Sequence, residues 1–226
     1  MSDISKLPKF SDLPKVGQTE ERHTWGVFGP DNQLGSVNLL TPERVKQAAT
    51  LVRTGRVFNW SLPLNFPITL YGGFREFGYY GGRQDVDLDE KGELGIEHWA
   101  QHGIVGRGVL LDAARYIEQH GTPLDMTKKF EMDGGFLEQV AQEQKVELQP
   151  GDILVLRTGW LSWYKSLDNA GREALRGSLE PGEGGHACPG LDASQDTAAW
   201  LWDQQIAAIA SDNVALEALP VDPAVG

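Results

Sequence analysis

Three segments of this chain place polar and aromatic residues next to apolar runs of strand type. Arg157-Thr158-Gly159-Trp160 follows one such run, and Ser211-Asp212-Asn213 follows another. His186 and Cys188 stand in a glycine-rich segment that precedes a helix-like run. Ligand-binding residues in open α/β sheets collect where strands end. The three segments together therefore predict a small-molecule pocket, although each segment alone is also typical of an ordinary turn or helix cap.

Metal chemistry is the first alternative, because two of the five histidines, His98 and His102, have i, i+4 spacing. On a helix this spacing places both rings on one face, with Glu97 beside them. The segment EHWAQH lacks the H-E-x-x-H order of zinc proteases and offers no third ligand. We therefore expect a structural pair of histidines rather than a metal site.

Two other features, an acidic run and a single cysteine, could carry chemistry, but we expect neither of them to form a functional site. The acidic run from Asp85 to Glu90 lacks the glycine and glutamate that a calcium loop needs at its sixth and twelfth positions, so a solvated loop is expected. Cys188 is the single cysteine, which excludes an internal disulfide, and we expect it to be a packing residue rather than a nucleophile. Phosphate-loop, dinucleotide and G-x-S-x-G motifs are absent from the sequence.

Composition limits the partners. The 226 residues carry a net charge of −12 without a lysine or arginine cluster, so nucleic acid and anionic membranes are not expected partners. The sequence has no stretch of about 20 apolar residues and its start lacks the apolar core of a secretory signal. We therefore expect a soluble, cytoplasmic protein.

Strand-like and helix-like segments alternate along the chain. Strands are predicted at 57–66, at 104–112, at 153–156 and within 206–213. Helices are predicted from Thr41, over 113–120 and 135–146, and from about Ser194. This alternation with apolar strands predicts an α/β fold in which helices pack on a mixed or mostly parallel sheet. Residues 1–22 are predicted to form an extended arm, and residues 23–226 a single domain.

Several of these segments, taken in order, resemble the putative cyclase family, which includes bacterial kynurenine formamidases and related hydrolases. The segments that carry the resemblance are WGVFGPDNQLGSVNLLTPE (25–43), HGIVGRGVLLD (102–112), LQPGDILVLRTGW (148–160), CPGL (188–191) and IAAIASDN (206–213).

The resemblance implies a swivelling β/α/β fold, a dimer or tetramer, and a bound zinc or manganese ion. It also implies hydrolysis of a small amide, formamide or lactone-like substrate, in which the metal activates water. By this resemblance, the expected substrate-binding residues are those at loops or strand ends of the matching segments: Trp25, Asn38, Arg157, Thr158, Trp160, Asp212 and Asn213.

The sequence departs from the family pattern at its metal site. Family members carry a loop such as H-x-G-T-H-x-D before the strand matched by 104–112, whereas this interval holds only GGFREFGYYGGRQDVDLDEKGE and no histidine lies between His23 and His98. A later histidine and glutamate have no counterpart before Gly226. No metal ligand can therefore be assigned. We expect segments to be missing at Tyr79-Tyr80 and after residue 226; the alternative is a deleted, non-catalytic scaffold that serves binding or assembly.

Overall fold

The computed structural model describes residues 7–53, 82–84, 87, 94, 96–177 and 186–221. Residue contacts cluster into two units, Met1–Arg107 and Gly108–Gly226. The single domain from residue 23 stays a prediction. The predicted strand at 57–66, the Tyr79-Tyr80 junction and most of the acidic segment lie outside the described residues.

The first unit contains short helices. Two 3₁₀ turns, Phe10–Asp12 and Gly35–Leu39, precede α1 (Pro42–Ala49), and α2 (Ile96–His102) follows later. Helix α1 begins as predicted, because the Thr41 hydroxyl accepts a hydrogen bond from the Arg44 amide and Pro42 occupies the first turn. His98 and His102 both lie within helix α2, at the i and i+4 positions of a helix, as expected.

The second unit alternates strands with helices along the chain. Its elements are β1 (Gly108–Asp112), α3 (Ala113–His120), β2 (Phe130–Met132), α4 (Gly134–Glu143), β3 (Ile153–Arg157), α5 (Trp160–Ser166), α6 (Asn169–Gly177), β4 (Pro189–Leu191), α7 (Gln195–Asp203) and β5 (Ala208–Ser211).

The described strands form two open sheets. One has the order β1-β3-β5, with Leu110 opposite Val155 and Val155 opposite Ala210, and the other pairs β2 with β4. All of these pairings are parallel. The predicted α/β fold is confirmed. None of the helices within the described residues is long and apolar enough to cross a membrane.

Strand β3 is the centre of the larger sheet. Leu154 and Leu156 point into a core that contains Val109, Leu111 and Leu137, all of them buried, whereas Ile153, Val155 and Arg157 are half-buried on the other face. Because successive side chains of a strand point to opposite faces, this alternation places the core on one side of the sheet. Helix α4 supplies its apolar stripe to the same core.

The outer edge of β1 is partly closed by one side chain. The Gln144 amide accepts a hydrogen bond from the Asp112 N–H and donates one to the Leu110 carbonyl, both at 2.7 Å. A glutamine side chain thus bonds backbone groups of β1 at an edge that no other described strand pairs with. The strand itself is shorter than predicted: it begins at Gly108, and Ile104 and Val105 before it are exposed.

Helices α4 and α7 approach closely at Gly134. A Cβ at this position would lie 2.5 Å from Cγ of Trp200 and 2.7 Å from its Cβ. These atoms belong to the base of the indole side chain, which cannot move away without shifting α7. The Trp200 indole is also held by a 2.7 Å hydrogen bond from its Nε1 to Glu138. Only glycine therefore fits here.

We predict that Gly134→Ala lowers the free energy of unfolding by about 1–3 kcal/mol, because the added methyl overpacks the contact with Trp200. Urea denaturation measures this change. Gly135→Ala is the matched control: its Cβ would come no nearer than 3.5 Å to the Asp133 carboxylate, so it should change stability by less than about 1 kcal/mol. Equal effects of the two substitutions would show that close helix packing at Gly134 is unimportant.

Candidate functional site

The carboxyl ends of β1, β3 and β5 lie along one edge of the sheet, because the three strands are parallel and in register. Asp112 and Arg157, the last residues of β1 and β3, are register partners, and Arg157 Nη1 lies 2.6 Å from Asp112 Oδ1. The Arg157 side chain remains 40% exposed, so this ion pair contributes at most about 1 kcal/mol. Its main effect is to orient the guanidinium at the edge.

The loop after β3 is held by the carboxylate of Asp212, which follows β5. Asp212 Oδ1 accepts hydrogen bonds from the Thr158 backbone N–H at 2.6 Å and from the Thr158 hydroxyl at 2.7 Å. Asp212 Oδ2 accepts one from the Gly159 N–H at 3.1 Å. Hydrogen bonds to a carboxylate are among the stronger ones in proteins. Thr158 is fully buried, so these bonds satisfy donors that water cannot reach.

Gly159 allows the chain to turn from β3 into α5. Its φ is +87°, in the left-handed region that favours glycine, and a Cβ there would lie 3.1 Å from Cβ of Ala114. The turn therefore depends on glycine for its backbone conformation and for space against α3.

Trp160 begins α5 at a position fixed by this loop. Its backbone N–H donates to the Thr158 hydroxyl at 3.2 Å. Its indole stacks on Tyr164, with ring centroids 5.2 Å apart, and meets the His186 ring edge-on at 5.9 Å. The indole Nε1 is buried and has no hydrogen-bond partner among the described residues. The loop and the ring contacts thus fix the position of Trp160, and its indole N–H has no acceptor within the part of the chain that the structure describes.

Asn213 holds the segment around β4. Its Nδ2 lies within hydrogen-bond distance of the carbonyls of Pro189, Leu216 and Glu217, at 3.0, 3.1 and 3.2 Å. Its Oδ1 accepts from the Leu216 N–H at 3.1 Å and from the Ser211 hydroxyl. The amide group is therefore engaged with backbone on several sides, and the residue ties β4 to the end of β5.

Five of the seven predicted substrate-binding residues meet at this edge: Arg157, Thr158, Trp160, Asp212 and Asn213. The hydrogen bonds of Thr158, Asp212 and Asn213 are directed at neighbouring chain segments. By contrast, Arg157 is partly exposed, and no described residue accepts a hydrogen bond from the Trp160 indole N–H. Their binding of a substrate stays a prediction.

The other two predicted residues, Trp25 and Asn38, lie in the first unit. Trp25 stacks on His23 with ring centroids 4.4 Å apart. The Asn38 amide donates to Asn32 Oδ1 at 2.9 Å and to the Gly35 carbonyl at 2.7 Å, which stabilises a 3₁₀ turn. Their roles in binding also stay predictions.

His186 is a further candidate for ligand binding, and it is not one of the seven predicted substrate-binding residues. It is 7% exposed, lies against Trp160, and its buried Nε2 has no partner among the described residues. The signal in the sequence was the GGHACP segment before β4, where a histidine and a cysteine adjoin a strand. Cys188 is fully buried, and burial raises the pKa of its thiol, which disfavours the thiolate that a nucleophile needs.

A zinc or manganese site at this edge would need several His, Cys, Asp or Glu side chains grouped together. Among the residues that the structure describes, no three His, Cys, Asp or Glu side chains are grouped so that they could hold an ion. The Asp112 and Asp212 carboxylates are already engaged by Arg157 and by the loop at Thr158. These described residues do not fit a zinc or manganese site, and the expected ion stays an expectation.

An α/β unit with parallel strands and a polar carboxyl edge defines a broad class of small-molecule-binding proteins and enzymes. The sequence profile of one family, the putative cyclases, matches residues 82–218, which is more than half of the chain. The protein belongs to this family.

A similar solved structure is the crystal structure of a novel cyclase, with a TM-score of 0.66 and 30% sequence identity, over 90% of this chain and 81% of that chain. The comparison with curated proteins gives no match.

We predict that Asp212→Ala lowers the free energy of unfolding by about 2–4 kcal/mol, because buried donors of Thr158 and Gly159 lose their acceptor. Asp212→Asn keeps one acceptor oxygen and should cost less. Chemical denaturation measures both variants. Asp196→Ala, at an exposed position in the first turn of α7, is the control and should cost less than about 1 kcal/mol. A cost for Asp212→Ala no larger than that of the control would contradict the anchoring role.

The burial of His186 predicts a pH dependence of stability. Burial lowers the pKa of His186 from its ordinary value of 6.5, so the unfolded chain binds a proton more readily than the folded one. This contribution therefore destabilises the fold as pH falls below about 6.5. Relative to His186→Gln, wild type should lose stability between about pH 7.5 and about pH 5.5. A difference in unfolding free energy between wild type and His186→Gln that stays constant across this pH range would contradict the prediction.

Proposed function

We propose that the protein is a hydrolase of a small amide, formamide or lactone-like substrate. Two findings support this function. The chain belongs to the putative cyclase family, and the carboxyl edge of its parallel sheet collects polar and aromatic side chains. The observation that carries the proposal is that Arg157 and Trp160 stand directly before and after the loop residues that Asp212 fixes. This edge therefore carries a partly exposed guanidinium and a buried indole N–H that has no partner among the described residues.

Within this site each residue has a distinct task. Asp212 and Thr158 set the shape of the loop through hydrogen bonds of 2.6–2.7 Å. Arg157, oriented by Asp112, supplies a positive charge that would stabilise negative charge as it develops on a carbonyl oxygen. The Trp160 indole supplies an uncharged donor and an apolar wall. These residues bind and orient the substrate.

The proposal includes a zinc or manganese ion, which in such hydrolases activates water by lowering its pKa. The described residues do not supply its ligands, and no step is assigned through it. A homo-oligomer and a cytoplasmic location belong to the same proposal, by resemblance to the family.

The second candidate is a binding or assembly protein that keeps the family scaffold without catalysis. One observation favours it: the side chains of Asp212 and Asn213 form hydrogen bonds to other parts of this unit. Asp212 bonds Thr158 and Gly159, and Asn213 bonds Pro189 and Leu216. Residues used in this way stabilise loops whether or not a reaction takes place beside them.

Metal content and hydrolysis, measured together, separate the two candidates. The purified protein is incubated with zinc or manganese, freed of excess ion, and analysed by mass spectrometry, and its hydrolysis of formanilide and of a small lactone is followed by product formation. A hydrolase should retain the ion and lose activity on chelation. A protein that retains no ion and hydrolyses neither compound would establish the scaffold alternative.

Arg157→Gln tests the proposed site directly. We expect kcat/KM to fall by about tenfold or more, since a charged donor near the carbonyl is lost, whereas stability should change by less than about 1 kcal/mol. Arg176→Gln is the matched control, because Arg176 is exposed on α6 and pairs only loosely with Glu173 at 3.6 Å. Full activity in the Arg157 variant would exclude this residue from the site.

A further inference from the structure

Buried polar atoms without a hydrogen-bond partner are rare in folded proteins, because each costs free energy that a partner would recover. Among the described residues three side chains carry such an atom: Trp160 Nε1, Arg172 Nε and His186 Nε2. All three belong to one continuous row of contacts. Arg172 Cζ lies over the Tyr164 ring at 5.4 Å, Tyr164 stacks on Trp160, and Trp160 meets His186 edge-on. The unpaired atoms are therefore concentrated rather than scattered.

Trp160 and His186 are direct neighbours in this row. Their ring planes are inclined by 76° with centroids 5.9 Å apart, so the edge of one ring adjoins the other. His186 is more than nine-tenths buried. Trp160 cannot turn away to find a partner, because its ring is stacked on Tyr164 at an interplanar angle of 8° and its backbone is hydrogen-bonded to Thr158. Both nitrogens are therefore buried at set positions without a hydrogen-bond partner among the described residues.

The chemistry of the two groups limits what can bind them. An indole N–H only donates, so its partner must carry an acceptor atom. The histidine Nε2 can donate or accept, depending on the tautomer. Burial lowers the pKa of His186, so near neutral pH the ring is uncharged and adds no positive charge to the site. The neighbouring Trp163 and Tyr164 rings supply apolar walls, and the charged group of the row, the Arg172 guanidinium, lies over the Tyr164 ring.

We propose that Trp160 Nε1 and His186 Nε2 form a subsite for the oxygen atom of an uncharged carbonyl compound, such as an amide or a lactone. This inference rests on the proposed function for the choice of ligand class, since it assigns His186 and Trp160 to recognition of that substrate. The subsite itself requires only binding. It can therefore be tested without any turnover.

The test uses acetanilide as the probe and N-ethylaniline as its partner, because the two differ only in the carbonyl oxygen. Binding to the full chain is titrated by NMR on the indole N–H signals of the seven tryptophans, with the Trp160 signal assigned by its loss in Trp160→Phe. Acetanilide should shift the Trp160 indole signal and N-ethylaniline should not. The titration itself is done on the wild-type protein, and Trp160→Phe serves there only to assign the signal.

Variants give the second readout. Trp160→Phe and His186→Phe keep a ring but remove the nitrogen, and each should weaken acetanilide binding about fivefold to tenfold, the value of one hydrogen bond. Trp202→Phe makes the same change on α7, outside this row of contacts, and should bind like wild type. Thermal unfolding confirms that each variant is folded.

The outcomes separate the subsite from the proposed function. Unchanged affinity in Trp160→Phe and His186→Phe, or no binding to wild type, overturns the subsite. Equal binding of N-ethylaniline, or tighter binding of the carboxylate phenylacetate, overturns the ligand class. Nitrogen-dependent binding of acetanilide without any hydrolysis of formanilide upholds the subsite while the proposed hydrolase fails. Hydrolysis that persists in both variants with unchanged KM upholds the hydrolase and overturns the subsite.

Discussion

The carboxylate of Asp212 is the interaction on which the rest of the site depends. It follows β5 and receives the backbone N–H groups of Thr158 and Gly159 and the Thr158 hydroxyl, which follow β3. The Thr158 hydroxyl in turn accepts from the Trp160 N–H, so the carboxylate determines where α5 begins and where its indole lies. A negatively charged acceptor suits this position because it can satisfy several buried donors at once.

Asp212 and its neighbour Asn213 act on different parts of the second unit. Asp212 holds the loop between β3 and α5, while Asn213 holds the carbonyl of Pro189 at the start of β4. His186 lies three residues before Pro189, and Trp160 lies two residues after Thr158. Two adjacent residues at the end of one strand thereby position, through separate segments, the two rings that meet edge-on. This explains how residues far apart in the chain reach one small site.

Much of the fold could be predicted because its signals are local. The apolar run at 153–156 predicts β3, Ser194 caps α7 through the Thr197 N–H, and Thr41 caps α1. By contrast β2 and β4 were not predicted. Each is three residues long, and their parallel pairing joins residues far apart in the chain, so no window of sequence carries the signal. The strand predicted from Ile104 begins only at Gly108. The apolar residues Ile104 and Val105 suggested a buried strand there, but both are exposed.

For the candidate site, the sequence alone determined which segments matter and which family they belong to. Apolar runs followed by polar residues mark strand ends, and residues 82–218 match the family model of the putative cyclases. The tertiary structure decided what each side chain does. It turned Asp212 and Asn213 toward backbone donors and carbonyls, and it left the nitrogens of Trp160 and His186 buried and without a partner among the described residues. The residue type determines which hydrogen bonds a side chain can make. Only packing across distant segments determines which of them are made and which are left for a ligand.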